Sequence, residues 1–245
     1  RNLEDWEGSS RRSRFREILA EQDEVNPDDV IMDLPTAKEK GLTSTVCFPR
    51  GNLAPEGSVV KSTSIDPSVV EKDGVYRMTG PARVFHTEKE AMQALKGLSD
   101  RSIKPGDVIV LCSRGPMGAG MEEVAQLTLA LKHLSWGKEV ALLTDARFSG
   151  VSTGACIGHA GPEALAGGPI GKLAEGDVIQ IEINRTTLEG TIDFVGREGD
   201  PVSPDEGARI LDSRKSHSDL SPDPRMPDDS RLWAALQNVG GGTWG

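Results

Sequence analysis

The sequence has little cysteine: three residues in 245, Cys47, Cys112 and Cys156, far apart and with no CxxC spacing. That argues against a cysteine-held metal site or cluster carried wholly by this chain. Unpaired thiols among apolar or small neighbours fit a reducing compartment. Aromatics are scarce, with one Tyr, five Phe and four Trp. Basic residues are outnumbered by acidic ones, 28 to 38, giving a formal net charge of -10. A surface of that sign does not suit nucleic acid, which needs a basic patch for its phosphates. No apolar run approaches the roughly 20 residues of a membrane helix. The first residues, Arg1 to Glu24, are charged and lack a signal-peptide core. The expectations are no nucleic acid, no membrane and a cytoplasmic location.

Glycine is abundant, at 28 residues, which suits many tight turns rather than a helical bundle. The length allows one large domain or two small ones. Residues 1–40 read as a charged arm or interdomain linker, with Phe15, Ile18 and Leu19 at helical spacing and Asn26-Pro27-Asp28-Asp29 as a turn or helix start. Residues 41–200 read as a sheet domain, and 201–245 as a helical C-terminal extension closed by the flexible Gly240–Gly245. Short strands are expected at Thr45–Phe48, Ser58–Lys61, Arg83–Phe85, Val108–Cys112 and Val140–Leu143. The Val108 strand is apolar throughout, as a strand covered on both faces would be. Thr87 and Glu90 form a capping-box pattern at the start of a helix. A second helix is expected with Val124, Leu127, Leu131 and Leu134 on one face, Glu122 and Glu123 in its first turn, and Gly137 as its C-cap. Two strand–helix–strand crossovers imply parallel pairing in part of the sheet. The alternating Val178–Ile183 reads as a half-exposed strand, with 187–195 as its hairpin partner or a near neighbour. Ala155–His159 reads as strand or loop.

Five polar places stand out. The Thr144-Asp145-Ala146-Arg147-Phe148-Ser149-Gly150 stretch follows an apolar run, so its side chains come to the end of a strand, where ligands commonly sit; equally, Asp145 and Ser149 could only tie down a turn. The Pro/Gly-rich loop from Pro49 to Gly57, with Arg50, Asn52, Glu56 and the nearby Lys61, is either a plain connection or a substrate contact. The loop Ser113–Gly120 has the glycines of a phosphate cradle without the Lys-Ser/Thr of a P-loop or the GxGxxG order. Glu122 and Glu123 either complement a helix dipole or place a carboxylate on a cation such as magnesium. His159 is either hydrogen-bonded structure or a group that orients a ligand.

Together these stretches resemble a known family. Arg50-Gly51-Asn52-Leu53-Ala54-Pro55-Glu56-Gly57 with Val59-Val60-Lys61 is similar to a signature of the dihydroxy-acid and sugar-acid dehydratases. Gly115-Pro116, Gly118, Gly120-Met121 and Glu123 resemble its second signature. Asp145–Gly150, Gly158-His159, Pro162-Glu163-Ala164 and Gly167-Gly168-Pro169-Ile170 resemble its third. The stretches Ser62–Val70, Asp73–Arg77 and Arg231–Gln237 look like the branch that dehydrates D-xylonate. The likeness covers nearly the whole chain but only the C-terminal part of the family's polypeptide.

The resemblance implies an α/β fold, a mixed β-barrel-like swivelling β/β/α domain with flanking helices. It implies a hydro-lyase that turns a small sugar-acid substrate into a 2-keto-3-deoxy acid, with Ser149 as the base and Glu123 as a magnesium ligand. It further implies Mg2+ and an iron–sulfur cluster as cofactors, the cluster ligands coming from the N-terminal domain of the same enzyme, which is therefore an expected partner and a condition for activity. A homo-oligomer is expected. Some family members carry a threonine two places after the serine, where this chain has Val151. The alternatives are a dihydroxy-acid dehydratase of branched-chain amino-acid biosynthesis and a non-catalytic swivelling or assembly domain.

Overall fold

The computed structural model describes residues 9–30, 32–40, 42 and 45–239. The start of the charged arm and the terminal Gly240–Gly245 lie outside the described residues. The chain divides into two compact units, with the boundary between Ser44 and Thr45.

The first unit contains α1 (Ser9–Glu21), α2 (Pro27–Val30) and α3 (Leu34–Glu39). The Asn26-Pro27 signal opens α2: Asp28 N–H donates to Asn26 Oδ1 at 3.1 Å, and proline fits the first helical position because its missing N–H has no partner there. Ion pairs tie the pieces, Arg16 with Asp28 and Lys40 with Asp29. None of the described residues in this unit is buried. Phe15 and Leu34 are exposed.

The second unit is built on a mixed sheet. Its elements in chain order are β1 (Val46–Cys47), β2 (Gly57–Lys61), β3 (Val75–Phe85), α4 (Glu88–Leu95), β4 (Val108–Leu111), α5 (Pro116–Ala119), α6 (Gln126–Lys132), β5 (Ala141–Thr144), β6 (Cys156–Gly161), β7 (Asp177–Asn184), β8 (Gly190–Arg197), β9 (Asp200–Pro201), α7 (Pro204–Ser213) and α8 (Asp228–Val239). Among the described residues nine strands join in the order β1-β2-β6-β5-β4-β3-β7-β8-β9. The four central strands β3, β4, β5 and β6 pair in parallel, and every other pairing is antiparallel. The fold is mixed α/β, a nine-stranded sheet curled into a half-barrel with flanking helices, as the resemblance implied.

The long strand β3 divides the sheet. Val75–Pro81 pairs with β7, and Ala82–Phe85 pairs with β4. Only its last residues were legible as a strand, because the Met78–Pro81 stretch carries Gly80 and Pro81, which normally break strands. Here they have uses. A Cβ on Gly80 would lie 1.9 Å from the Gly106 carbonyl oxygen, so the turn before β4 packs against bare backbone.

The loop after β1 ties the two arms of the sheet together. Arg50 bridges Thr191 of β8. Arg50 N–H donates to Gly190 O at 3.1 Å, and Ile192 N–H donates to Arg50 O at 2.9 Å. A Cβ on Gly51 would sit 2.2 Å from Ile192 O, so glycine is required for this approach. Asn52 completes the tie: its Oδ1 accepts from Phe194 N at 2.7 Å, and its Nδ2 donates to Phe194 O and Pro204 O, both at 2.9 Å.

Two cores lie on the two faces. Val108, Val110 and Leu143 point into the half-barrel with Val60, Ile179, Ile181, Ile183, Ile192 and Phe194. Ile109, Leu111 and Leu142 point the other way, against Ala91, Leu127 and Leu131 of α4 and α6. This explains the continuous apolar run of β4, since both of its faces are covered. Each fully buried leucine contributes about 2 kcal/mol of burial. Strand β7 covers one face only, so its sequence alternates.

The crossovers β3–α4–β4 and β4–α6–β5 are as expected. Thr87 caps α4, accepting from Glu90 N–H at 3.2 Å. Ser203 caps α7 in the same way, accepting from Glu206 N–H. Helix α6 is shorter than expected. Glu122 and Glu123 precede it rather than occupying its first turn, because Glu123 is drawn into a bridge with Arg147. Gly137 is not its C-cap, which is His133. Gly137 is instead needed for contact, since a Cβ there would lie 1.9 Å from Leu131 O. Ala155–His159 resolves as strand, within β6.

Candidate active site

The parallel strands β4 and β5 end side by side, and the loops that follow them build the site. Asp145 directly follows β5 and is fully buried. Its Oδ1 accepts from Arg114 N at 2.9 Å, and its Oδ2 accepts from Ser113 N and Ala164 N, both at 3.0 Å. One carboxylate thus gathers the loop after β4 and the loop after β6. Burial pushes the Asp145 carboxyl above its usual range, against the pull of those backbone donors. Asp145 is therefore a clasp, not a surface reagent.

A second buried carboxylate lies beyond it. Glu163, following the cis Gly161–Pro162 bond, accepts from Met117 N at 2.8 Å and Gly118 N at 3.3 Å, in the first turn of α5. Burial, with Asp145 nearby, pushes its carboxyl up to about 7. Gly115 is required opposite it, since a Cβ there would approach Glu163 Oε2 to 2.5 Å. The buried Arg114 reaches from the same loop to Glu122 Oε1 at 2.6 Å and Asp223 Oδ2 at 2.9 Å. This pairing ties the segment before α8 to the end of β4.

Toward the surface the structure brings together the two residues singled out from the sequence. Ser149 Oγ donates to Glu123 Oε1 at 2.5 Å across 26 residues. The Ser149 N–H points at the same oxygen at 3.4 Å. Arg147 Nη1 stands 3.7 Å from Glu123 Oε2, and its Nε donates to Met121 O at 2.8 Å. Lys61, at the end of β2, donates from Nζ to Ser149 O at 2.6 Å. The Ser149 hydroxyl holds the Glu123 carboxyl below the usual range, aided by the Ser149 N–H, Arg147 and Lys61. Glu123 is thus an anion with two cations close by, and Ser149 is exposed.

Three non-glycine residues here have positive φ: Ser113 at 66°, Met121 at 63° and His159 at 53°. Such conformations cost on the order of 1–3 kcal/mol each and are held by their surroundings. Ser113 is held by Asp145, and His159 N–H donates to Ala146 O at 2.8 Å.

Of the loop residues considered as substrate contacts, Asn52 is used in closing the sheet. Arg50 and Glu56 line a cavity of about 340 Å³ with Phe48, Ser58 and His159. The structure thus joins His159 to the loop rather than to Ser149. Glu163 and Asp223 had not been singled out as functional. The available signal for Glu163 was an acidic residue embedded in a run of glycine, proline and alanine.

The three thiols do not suit a cluster. Cys47 Sγ donates to Leu188 O at 2.9 Å, Cys112 lies against Phe85 O and His86, and Cys156 lies against Ser152. All three are buried, and burial raises each thiol above its usual range, which opposes the thiolate that ligation needs.

Comparison with known sequences places this half-barrel, with its parallel central strands and its serine–glutamate pair at a strand end, in a family. The chain belongs to the dihydroxy-acid/6-phosphogluconate dehydratase family, whose C-terminal domain matches residues 29–217. Over 243 residues it is 60% identical to D-xylonate dehydratase YagF of Escherichia coli (strain K12), covering 99% of this chain and 37% of that protein. It is 56% identical to D-xylonate dehydratase YjhG of the same organism, with the same coverage. A dihydroxy-acid dehydratase of Leifsonia xyli subsp. xyli is 43% identical over 181 residues, 72% of this chain and 29% of that protein. The chain therefore spans little more than a third of the two D-xylonate dehydratases and less than a third of the dihydroxy-acid dehydratase.

Proposed function

We propose that this chain supplies the proton-abstracting serine and one magnesium ligand of a hydro-lyase that converts D-xylonate to its 2-keto-3-deoxy acid. The observation that carries the reading is the Ser149–Glu123 hydrogen bond at the end of β5. The greater identity to the two D-xylonate dehydratases than to the dihydroxy-acid dehydratase supports the sugar acid over a branched dihydroxy acid.

Ser149 Oγ, as an alkoxide, takes the proton from C2. The electron pair left on C2 forms the C2–C3 double bond as the C3 hydroxyl departs and, with a proton, becomes water. The enol then moves its hydroxyl proton to C3 and gives the keto acid. A free serine hydroxyl is far too weak an acid to be ionised at neutral pH. Glu123, held below the usual carboxylate range, is too weak a base to deprotonate it. Glu123 instead orients the hydroxyl and adds negative charge where a cation would bind. The donor set fits magnesium: a carboxylate and a hydroxyl side by side offer the hard oxygen donors that such an ion would take. A bound magnesium ion would lower the serine pKa by several units and stabilise charge developing on the substrate. Lys61 holds the Ser149 backbone carbonyl, and with it the loop that carries the base. No residue of this chain is assigned to the C3 hydroxyl.

The thiols of this chain do not fit an iron–sulfur cluster, so the reading leaves cluster ligation to the N-terminal domain of the same enzyme and takes this chain alone to be inactive. Leu232, Trp233 and Leu236 of α8 are exposed and available to such a partner or to a second copy in a homo-oligomer. Among the described residues no helix is long and apolar enough to cross a membrane. Three free, buried thiols support a cytoplasmic setting.

The test is a substrate panel. The full-length polypeptide carrying this chain, with its metals reconstituted, is given D-xylonate, other aldonic acids and a branched 2,3-dihydroxy acid, and the keto acid is followed. Preferred turnover of D-xylonate is the expected result. Turnover of the branched acid alone would move the protein to amino-acid synthesis, and none at all with intact metals would overturn the hydro-lyase reading.

A further inference from the structure

We propose that His86, His217 and Asp219 form a binding site for a divalent transition ion of the zinc type, separate from the Ser149–Glu123 pair. His86 follows the end of β3. His217 and Asp219 lie in the connection between α7 and α8. One candidate ligand atom from each residue lies within 4.8 Å of the others. His86 Nε2 and Asp219 Oδ2 are 3.3 Å apart, about the separation of two ligands on a tetrahedral zinc ion with bonds near 2.0–2.1 Å. The imidazole rings meet edge to face, with centroids 5.4 Å apart.

The other nitrogens of the two rings are already engaged. His86 Nδ1 lies 3.3 Å from Cys112 Sγ. His217 Nε2 lies 2.5 Å from Leu173 O, an acceptor that requires the proton on Nε2 and leaves the lone pair on Nδ1. A ligating histidine commonly has its second nitrogen held in this way, which sets both tautomer and ring orientation. A plain ion pair would account for His86 and Asp219 alone. It leaves out the second imidazole, which lies edge to face with the first and brings a third possible ligand to the same place.

Two imidazole nitrogens and one carboxylate oxygen suit zinc and its neighbours rather than magnesium, which prefers an all-oxygen shell. Three protein ligands leave a fourth position for water. Bound there, the ion would fasten the α7–α8 connection to the end of β3, and through Cys112 to the end of β4.

The experiment uses the full-length polypeptide, zinc alone as the probe, and a chromophoric chelator in competition. Wild type is expected to take up one equivalent of zinc that His217→Ala does not, with X-ray absorption at the zinc edge showing two imidazoles. Asp219→Asn changes an exposed side chain, so it serves as the variant least disturbing to the fold; it is expected to weaken zinc at least about tenfold and to abolish the zinc-induced rise in melting temperature. Glu123→Gln is the control and is expected to keep this equivalent, which separates the site from the proposed magnesium ligand. Equal zinc affinity in wild type, His217→Ala and Asp219→Asn would overturn the proposal, as would an absorption spectrum without imidazole scattering.

Discussion

Glu123 and Arg147 face each other in a short parallel bridge: Val124 N–H donates to Arg147 O at 2.9 Å, and Arg147 N–H donates to Glu122 O at 3.4 Å. That backbone contact, not the side chains, sets the register of the proposed site. It fixes Glu123 opposite the segment that carries Ser149 two residues further on, and the carboxylate and hydroxyl then meet.

Removing the hydroxyl should therefore leave the register intact. Ser149→Ala is expected to lower kcat by about 10²–10⁴-fold, the usual contribution of a positioned base, with melting temperature and iron content unchanged. Exchange of the substrate C2 proton with deuterium should fall in parallel. Turnover within about tenfold of wild type would remove Ser149 from the role of base.

Glu123→Gln keeps the size and the bridge but removes the charge. Magnesium should then activate at concentrations at least about tenfold higher, with lower maximal activity. Because the Ser149 hydrogen bond holds the Glu123 carboxyl below its usual range, the group stays ionised from neutral pH down through the ordinary carboxylate range. Any favourable contribution of the pair is present above that range and is lost only as pH falls through the depressed value. A magnesium titration identical to wild type would exclude the residue as a ligand.

Asp145→Ala should be among the most damaging single changes. It leaves the buried N–H groups of Ser113, Arg114 and Ala164 without their acceptor, and each orphaned donor costs about 1–3 kcal/mol. A loss of about 3 kcal/mol or more in denaturant unfolding is expected. Asp145→Asn should be milder, since an amide oxygen can keep the two donors now on Oδ2 and lose only one.

Glu163 should contribute a distinct pH dependence. With its carboxyl at about 7 in the fold against 4.5 normally, the unfolded chain loses its proton first. The contribution is fully favourable below about pH 4.5, declines as pH rises toward 7, and is flat above. The decline amounts to on the order of 3 kcal/mol at most. Thermal melting scanned from pH 4.5 to 8 should show it in wild type and not in Glu163→Gln, whose amide oxygen still accepts from Met117 and Gly118. Identical pH profiles would place the Glu163 carboxyl at its ordinary value.

Local order was legible where one interaction range dominates. The apolar runs of β4 and β5, the alternation of β7 and the Thr87 cap all follow from side-chain periodicity and short-range hydrogen bonds, so the sequence was sufficient for them. Ser149 and Glu123 were recognised from motif resemblance, while spacing alone left each of them two readings. Other features depend on groups far apart in the chain. Gly80 and Gly137 are explained only by the carbonyls of Gly106 and Leu131 that press on them. Glu123 left the helix because its backbone found Arg147. Asn52, which looked like a surface contact, ties the sheet to Phe194, and Asp145 became a clasp once three backbone donors converged on it. A carboxylate or an amide has the same local propensity whether it meets solvent, a cation or three buried N–H groups. Which of these it meets is decided when the sheet curls and brings distant loops together, and only the tertiary structure contains that information.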